Sequence, residues 1–483
     1  MLTLINSNRM EPPIAPVGLD YVAGAARRAG IEVELLDLCL AADPDAALEA
    51  YFTSRRPELV GISFRNSDDC FWPSADWFVP GLADLVRRVR GLTDAPVALG
   101  GVGFSIFAER IVDWCGADFG VRGDGEEAIV SLLAELRGRR RLGIVPGLIW
   151  EAGGRLRANH PAWPRVLQVP PERDAVDNFA YFRRGGQIGL ETKRGCNRGC
   201  IYCADALAKG AAARLRAPAD VADEAAALLA QGCDVLHLCD AEFNLPPDHA
   251  RAVCDALIER GLGGRLRWYA YLAVWPFDAG LAGRMRRAGC AGINFTCDSA
   301  SDAMLETYRQ PHRREQMASA VRLCREHGIA VMTDLLLGGP GETPATVAQT
   351  IDFVKQIGPD CAGAALGVRI YPGTPMAAIV AAQGPLESNP GVLRRGDGPV
   401  DLFRPTFYIS PELGERPASL VRDLIAGDRR FFEPAGLAEP AEPAGSEAEA
   451  DRGYNYNDNS ALVAAIAAGA RGAYWDILRR LRS

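Results

Sequence analysis

The sequence has no excess of basic residues and no long apolar run. Its 53 lysines and arginines are outnumbered by 61 aspartates and glutamates, giving a formal net charge of −8. A protein that binds nucleic acid usually carries a broad basic surface, so nucleic acid is not an expected partner. No apolar stretch approaches the roughly 20 residues of a membrane span, and Met1 to Ile5 lack the features of a signal peptide. We therefore predict a small-molecule substrate, no membrane span and a cytoplasmic location.

Cysteine and histidine are also scarce, with 13 and 5 copies in 483 residues. An odd number of scattered cysteines argues against a disulfide framework. Three cysteines nevertheless share one short loop, at Cys196, Cys200 and Cys203 in the spacing C-x3-C-x2-C. A structural zinc site needs four ligands, and the next candidates, Cys233 and His237, lie far beyond the loop. Zinc is therefore a poor alternative for this motif.

A [4Fe-4S] cluster has four irons and is normally held by four cysteine thiolates. The loop supplies only three, so one iron would stay open to a further ligand and could pass it an electron. The motif resembles the signature of radical S-adenosylmethionine (SAM) enzymes. The resemblance implies that Cys196, Cys200 and Cys203 bind the cluster and are the catalytic cysteines.

Residues 1 to about 165 alternate short β-rich runs with amphipathic helical segments. This alternation predicts an α/β domain with a doubly wound parallel sheet of the Rossmann type. Such a sheet binds ligands beyond the carboxyl ends of its strands, where glycines let the backbone approach a bulky ligand. The candidate cofactor-binding residues at these ends are Ser63, Arg65, Asn66, Gly100, Gly101, Gly123 and Glu126.

The chain from 187 onward predicts a second α/β domain, a partial (β/α)6 barrel whose chemistry lies at the carboxyl ends of its strands. Helical runs separate its six strand candidates. These candidates are residues 187–190, 234–238, 267–272, 292–297, 331–337 and 365–370.

The order of the two domains is similar to that of the family with a cobalamin-binding domain before a radical SAM domain. The front-domain resemblance rests on Ser63, Gly100-Gly101, and Gly123-Asp-Gly-Glu126. One departure matters, because cobalamin domains that ligate cobalt through histidine carry Asp-x-His-x-x-Gly, whereas this chain has no histidine before His160. The resemblance implies cobalamin bound without that ligand. A domain that has lost its cofactor is the alternative.

The resemblance also implies SAM contacts at the strand ends of the barrel. Each candidate has a structural alternative, since acidic residues and Gly-Pro-Gly after strands often cap helices or form turns. Arg194 beside the cysteine loop could offset negative charge on the cluster, or simply form a salt bridge. The candidate SAM-binding residues are Tyr202, Asp240, Glu242, Asn244, Asp298, Ser299, Gly339, Gly341, Glu342 and Arg369.

For such an enzyme the resemblance implies reductive cleavage of SAM, with an electron donor such as flavodoxin or ferredoxin, and cobalamin-dependent methyl transfer to an unactivated carbon. One alternative is cobalamin-independent transfer of the aminocarboxypropyl group of SAM to a soft acceptor such as arsenic, which a thiol pair at Cys239 and Cys297 could bind. A sensor that uses the cluster and cobalamin as a switch is another.

Four segments follow from the pattern. They are a cobalamin-binding-like domain at 1–165, a connector rich in proline and arginine at 166–186, the barrel at 187–375 and a mainly helical region at 376–483. A stretch rich in alanine, proline, glutamate and glycine at about 433–453 predicts a flexible linker within the last segment.

Overall fold

The computed structural model describes residues 1–169, 172–434 and 455–482. It contains two compact units, which do not follow the four predicted segments one to one. The first comprises Met1–Asp69, Trp77–Cys196 and Asp205–Cys233, and the second Cys70–Asp76, Asn197–Ala204 and Asp234–Ser483. The linker predicted at about 433–453 lies outside the described residues except for its first two positions.

The first unit contains a seven-stranded sheet in the order β2-β1-β3-β4-β5-β6-β7. The first five of these strands run parallel, and β6 and β7 are antiparallel to their neighbours. This is the predicted doubly wound sheet with an added hairpin. The strands of the unit are β1 (Leu2–Asn6), β2 (Val33–Asp37), β3 (Leu59–Ser63), β4 (Val97–Gly100), β5 (Phe119–Val121), β6 (Leu148–Glu151), β7 (Leu156–Ala158), β8 (Ile188–Leu190), β9 (Lys193–Arg194) and β10 (Arg214–Leu215).

Helices follow most strands of this unit and bury apolar faces against the sheet. Leu19 and Ala23 of the first helix and Leu132 of the sixth pack with Leu2 and Leu4 in one core. Capping residues define some helix ends. The Asp43 side chain, for example, accepts hydrogen bonds from backbone amides in the first turn of the second helix. The helices are α1 (Val17–Arg28), α2 (Pro44–Ser54), α3 (Val79–Leu92), α4 (Val102–Ile106), α5 (Ala108–Cys115), α6 (Gly125–Arg137), α7 (Asn178–Gly185), α8 (Asp205–Lys209) and α9 (Pro218–Ala230).

Within the second unit, six strands form a parallel sheet in the order β19-β15-β14-β13-β12-β11. Three further short strands pair antiparallel in the order β16-β18-β17. The strands are β11 (Val235–Leu238), β12 (Arg267–Ala273), β13 (Cys290–Asp298), β14 (Ala330–Leu337), β15 (Cys361–Leu366), β16 (Val368–Arg369), β17 (Val392–Arg394), β18 (Thr406–Tyr408) and β19 (Phe431–Phe432).

Helices connect the parallel strands of the second unit, as the barrel pattern predicts. None of the helices within the described residues is long and apolar enough to cross a lipid bilayer. The helices are α10 (Pro247–Glu259), α11 (Ala279–Arg287), α12 (Asp302–Thr307), α13 (Arg314–His327), α14 (Pro344–Ile357), α15 (Pro375–Ala382), α16 (Pro417–Ile425) and two C-terminal helices, Ser460–Ala467 and Tyr474–Arg482.

The strand predicted at 365–370 is displaced in the structure. The sixth predicted strand is β15, which begins at Cys361 and ends at Leu366, and Gly367 then takes a φ of 101° that breaks it. Residues 368–369 belong to the separate antiparallel sheet. The reason is composition, because Cys361-Ala-Gly-Ala-Ala lacks the β-branched and aromatic residues that mark strands.

Candidate active site

The first unit has a cavity at the carboxyl ends of β3 and β4, with an empty volume of about 890 Å³ that includes space open to solvent. Its walls are mainly apolar or glycine, as at Leu19, Ile129 and Gly61, and five of the seven predicted cofactor residues line it. These five are Ser63, Gly100, Gly101, Gly123 and Glu126. Arg65 and Asn66 do not line it, and a cofactor contact by them stays a prediction.

Glycine is required where β4 enters this cavity. Gly101 has a φ of 108°, and a Cβ there would lie 2.5 Å from the carbonyl oxygen of Phe64. Gly100 differs, because a Cβ on it would meet only the Val121 carbonyl oxygen at 3.8 Å. The hydroxyl of Ser105 links the loop after β4 to the loop after β5, because it donates to the Gly101 carbonyl and accepts a hydrogen bond from the Gly123 amide. The rim is thus built from backbone that a ligand can approach closely.

Arg194, two residues before the first cysteine of the loop, is buried among carboxylates of this cavity. Its guanidinium lies 2.7 Å from Glu126, 2.8 Å from Glu191 and 3.3 Å from Asp124. Burial lowers the pKa of Arg194, and the three carboxylates outweigh that effect and raise it well above its usual value. Arg194 therefore forms the predicted salt bridge, and its effect on the charge of the cluster stays a prediction.

The three cysteines of the motif differ in exposure. Cys196 and Cys200 are partly exposed and Cys203 is exposed, and none of the thirteen cysteines, all within the described residues, forms a disulfide. Cys196 belongs to the first unit, where its amide donates to the Gly210 carbonyl, and Cys203 donates its amide to Cys200 in the second. Three accessible thiols in an irregular loop suit the chemistry of a [4Fe-4S] cluster.

A polar group in the second unit lies directly beside Cys200. The Tyr202 hydroxyl and the Gln310 side-chain amide both donate to the carboxylate of Asp298, each at 2.6 Å. The same Gln310 nitrogen lies 3.3 Å from the sulfur of Cys200. Burial raises the pKa of Asp298 to about 6, while the bonds from Tyr202 and Gln310 lower it. Asp298 and Tyr202 are therefore brought together as predicted candidates, with Gln310 as an unforeseen third member.

The inward side of the second unit's sheet carries a row of partly exposed polar side chains. They alternate with buried apolar residues, as Thr296 does with Phe295, because successive strand residues face opposite sides. Thr296 donates to Glu242 at 2.7 Å, and Asn294 donates to Asp334 at 2.7 Å. The partly exposed members of the row are His237, Glu242, Tyr271, Thr296 and Asp334.

Several predicted SAM residues form hydrogen bonds within the protein. The side chain of Asn244 is fully buried, donates to the carbonyls of Ala273 and Pro276, and accepts the Ala273 amide. Ser299 is also fully buried, 2.9 Å from the Thr350 hydroxyl. These contacts agree with the alternative given by the sequence, a polar residue that holds a strand end or a turn, and a SAM contact by either residue stays a prediction.

The glycine turn after β14 and Arg369 also make contacts within the protein, and a SAM contact by these residues stays a prediction. Glu342 is fully buried and accepts the Gly338 amide at 2.6 Å. A Cβ on Gly339 would lie 2.2 Å from the Tyr308 hydroxyl, so a side chain there would clash with Tyr308. Arg369 lies on β16 of the small antiparallel sheet and donates to the carbonyls of Ile370 and Thr406. For Gly341 and for Asp240, which is buried, a SAM contact stays a prediction.

The proposed thiol pair at Cys239 and Cys297 is not supported by strand geometry. Cys297 is 1% exposed and follows the inward-facing Thr296, so it shares the buried side of β13 with Phe295. Cys239 is partly exposed and donates to the His237 carbonyl. Cys239 directly follows β11 and Cys297 lies on β13 of the same sheet, but Cys297 faces the core.

Comparison with known proteins agrees with this geometry. Residues 190–354 match the Radical SAM superfamily, and residues 5–133 match the B12 binding domain. The chain is 30% identical to tryptophan 2-C-methyltransferase of Streptomyces laurentii, across 98% of this chain and 95% of the relative. The chain belongs to the cobalamin-dependent radical SAM methyltransferases.

Solved structures of this methyltransferase group match the whole chain. The radical SAM methyltransferase TsrM of Kitasatospora setae, solved with its tryptophan substrate and a SAM analogue, superposes with a TM-score of 0.90 at 32% identity, covering 99% of this chain and 97% of that one. A second TsrM structure, with cobalamin and a [4Fe-4S] cluster bound, gives a TM-score of 0.88 at 30% identity with the same coverage.

Membership of this methyltransferase family gives the chain its cofactors: a [4Fe-4S] cluster, SAM and cobalamin. The residues present fit these groups. The apolar cavity with its glycine rim suits the planar aromatic base that cobalamin carries on its tail, and the three thiols of the loop suit the cluster. The prediction of a radical SAM enzyme with a cobalamin-binding domain is confirmed.

Several residues beside the cavity and the cysteine loop were not predicted from the sequence. Gly18 and Val22 of α1 and Lys209 line the cavity of the first unit, and Gln310 contacts Cys200. Gln310 stands 110 positions beyond its cysteine, so no local spacing connects the two. Gly18 lies on α1, the helix that follows β1, and a small residue there could have indicated that a ligand lies close to this helix.

Proposed function

We propose that this chain methylates carbon 2 of the indole ring of tryptophan, or of a small molecule that contains a tryptophan-like indole. The observation that carries the proposal is the similarity along 98% of the chain to a tryptophan 2-C-methyltransferase. A structure solved with tryptophan bound adds support at 32% identity. When bound, the cluster supplies one-electron chemistry, cobalamin carries a transferable methyl group and SAM is the source of that methyl group.

The chain's own residues bind and orient these groups in the proposal. Cys196, Cys200 and Cys203 ligate the cluster, and the cavity of the first unit holds cobalamin. Tyr202 and Asp298 lie beside the cluster cysteines, where we place the adenosine part of SAM. An electron donor such as flavodoxin or ferredoxin and a cytoplasmic location complete the proposal, because a low-potential cluster needs a reductant and reducing surroundings.

The inward polar row of the second unit is the proposed substrate site. Tryptophan carries an ammonium group and an indole N–H, which are both hydrogen-bond donors, and the row offers the carboxylates of Glu242 and Asp334 as acceptors. His237 and Tyr271 lie edge to face, with ring centroids 5.4 Å apart, and supply aromatic contact area. The row therefore combines acceptors and aromatic surface that an indole amino acid requires.

The test is anaerobic turnover with tryptophan deuterated only at carbon 2. Reconstituted protein with SAM, reductant and added cobalamin should form methyltryptophan that has lost the deuterium, whereas tryptophan deuterated at carbon 5 should keep it. The SAM fragments identify the bonds broken, because S-adenosylhomocysteine reports methyl loss, 5′-deoxyadenosine reports reductive cleavage and methylthioadenosine reports aminocarboxypropyl transfer. Protein that holds cluster and cobalamin but gives no methylated tryptophan, or retains the carbon-2 deuterium in it, would contradict the proposal.

A further inference from the structure

Gln310 occupies a position that the reaction described above does not use. It is 9% exposed and follows α12, and its side-chain nitrogen lies 2.6 Å from the Asp298 carboxylate, 3.3 Å from the Cys200 sulfur and 3.4 Å from the Tyr202 hydroxyl oxygen. A primary amide nitrogen carries two hydrogens. The short contact to Asp298 uses one of them, and the other is directed towards Cys200 and Tyr202.

Asp298 fixes which end of the Gln310 amide faces the sulfur. A carboxylate accepts hydrogen bonds, so it selects the nitrogen and turns the amide oxygen away. Asp298 is itself held in place, because it is 5% exposed and also accepts from the Tyr202 hydroxyl. Its φ of 58° lies in the left-handed region, next to an irregularity in the pairing of β13 with β14. Aspartate is one of the few residue types besides glycine that adopt this conformation readily.

We propose that Gln310 is a positioning residue that donates a hydrogen bond to the Cys200 thiolate of the bound cluster and thereby raises the cluster's reduction potential. Hydrogen bonds to cluster sulfurs favour the reduced state, because a donor dipole stabilises the negative charge that one added electron brings. The inference rests on the proposed ligation of the cluster by Cys200. It concerns no bond made or broken, only the energy of adding that electron.

The experiment is a redox titration of reconstituted protein in the absence of substrate, followed by electron paramagnetic resonance of the reduced cluster. Dithionite supplies the electron through soluble mediators. Gln310→Leu keeps a similar volume but removes both donors, and Gln310→Glu replaces the amide nitrogen by an acceptor. Both should load iron as the wild type does and show a lower midpoint potential. Gln349→Leu, at an exposed position of α14, should titrate as the wild type does.

A second measurement on the unmodified sequence covers the case in which the variants do not load. Pulsed resonance of the reduced cluster, in protein labelled with nitrogen-15 in its glutamine side-chain amides, should show a weak nitrogen-15 coupling. Absence of this coupling, or a loaded Gln310→Leu protein with the wild-type potential, would overturn the inference. A wild-type protein with no [4Fe-4S] signal would overturn the cluster assignment itself, which is a distinguishable failure.

Discussion

The carboxyl group of Glu342 is buried in the turn after β14 with only one oxygen bonded. One oxygen accepts the Gly338 amide at 2.6 Å, and the other has no hydrogen-bond partner. Burial raises the pKa of Glu342 to about 7, an effect that the backbone hydrogen bonds only partly offset. A raised pKa means that the folded state keeps a proton that the unfolded state releases. Stability should therefore fall as pH rises from the unfolded pKa, near 4.5, to about 7, and stay low above it.

Glu342→Gln removes this charge while keeping the acceptor for Gly338. We expect the variant to be more stable than the wild type at pH 8 by roughly 2 kcal/mol, and the difference to shrink towards pH 5. Thermal unfolding at the two pH values measures it. Glu306→Gln, at an exposed position, is the control and should show no pH-dependent difference. If Glu342→Gln differed from the wild type in stability by the same amount at both pH values, the raised pKa of Glu342 would be contradicted.

Gly100 is a residue at which the cavity of the first unit can be filled by substitution. A Cβ there would meet only the Val121 carbonyl oxygen, at an ordinary contact distance of 3.8 Å, whereas a Cβ on Gly101 would clash with the Phe64 backbone. Gly100→Leu should lower cobalamin affinity at least tenfold, since it occupies space that the ligand needs, while the unfolding midpoint changes little. Equilibrium binding followed by absorbance checks this. The control Gly91→Leu, on the exposed end of α3, should bind cobalamin normally, and equal affinities in all three proteins would exclude this cavity as the site.

The segment predicted as a simple connector is an anchoring element of the first unit. Arg173 within it is fully buried and contacts Asp20 of α1 at 2.6 Å and Glu224 of α9 at 2.7 Å, both also fully buried. It further donates to the Gly189 carbonyl and to Asn178. A connector that places a cation between two helices fixes their separation. The sequence showed only that the segment is rich in proline and arginine.

Arg173→Met leaves two buried carboxylates with one remaining buried arginine, Arg216, which contacts Glu224. Breaking a buried pair in this way costs about 3 to 5 kcal/mol. Urea unfolding followed by hydrogen exchange at first-unit amides should show that loss. Arg27→Met removes a pair with Asp174 whose side chains are 40% and 70% exposed, and should cost less than about 1 kcal/mol. Similar losses for the two variants would show that the buried network does not anchor the segment.

Strand patterns predicted most parallel strands, because short apolar runs bounded by turn residues carry a clear signal. The bounds of β15 were predicted wrongly and β19 was not predicted, for different reasons. The first is alanine- and glycine-rich, and the second has only two residues, Phe431 and Phe432, which pair with Ala362 and Gly363. Arg369 was misplaced along with β15, because its predicted position followed from the strand end. A two-residue strand depends on a tertiary partner, which no local pattern contains.

The sequence predicted which strand ends carry polar side chains. It did not predict which of those side chains are already hydrogen-bonded to the backbone. Asp298 and Asn244 both stand after strands, yet one joins the group beside Cys200 and the other is saturated by backbone. This difference depends on contacts between distant segments. The cysteine motif was visible in the sequence because its three cysteines lie within eight residues, and their ligation of the cluster stays a prediction.

At the scale of the whole molecule, the chain combines a B12 binding domain match at 5–133 with a Radical SAM match at 190–354. The similarity to tryptophan 2-C-methyltransferase extends across both and through the C-terminal region. In the second unit that region packs on the sheet, where the Tyr269 hydroxyl donates to Asp476 at 2.9 Å. Tyr269 lies edge to face with Trp475. The C-terminal helix is thus part of the barrel unit.

As a cobalamin-dependent radical SAM methyltransferase, this chain uses its cluster and cobalamin to move a methyl group from SAM to a carbon of its substrate. The most direct measurement is anaerobic turnover of tryptophan with SAM that carries a trideuterated methyl group, analysed by mass spectrometry with and without cobalamin. We expect methyltryptophan that contains all three deuterons, formed only when cobalamin is present. Methyltryptophan formed equally well without cobalamin, or methyltryptophan that lacks the three deuterons, would contradict methyl transfer from SAM by way of cobalamin.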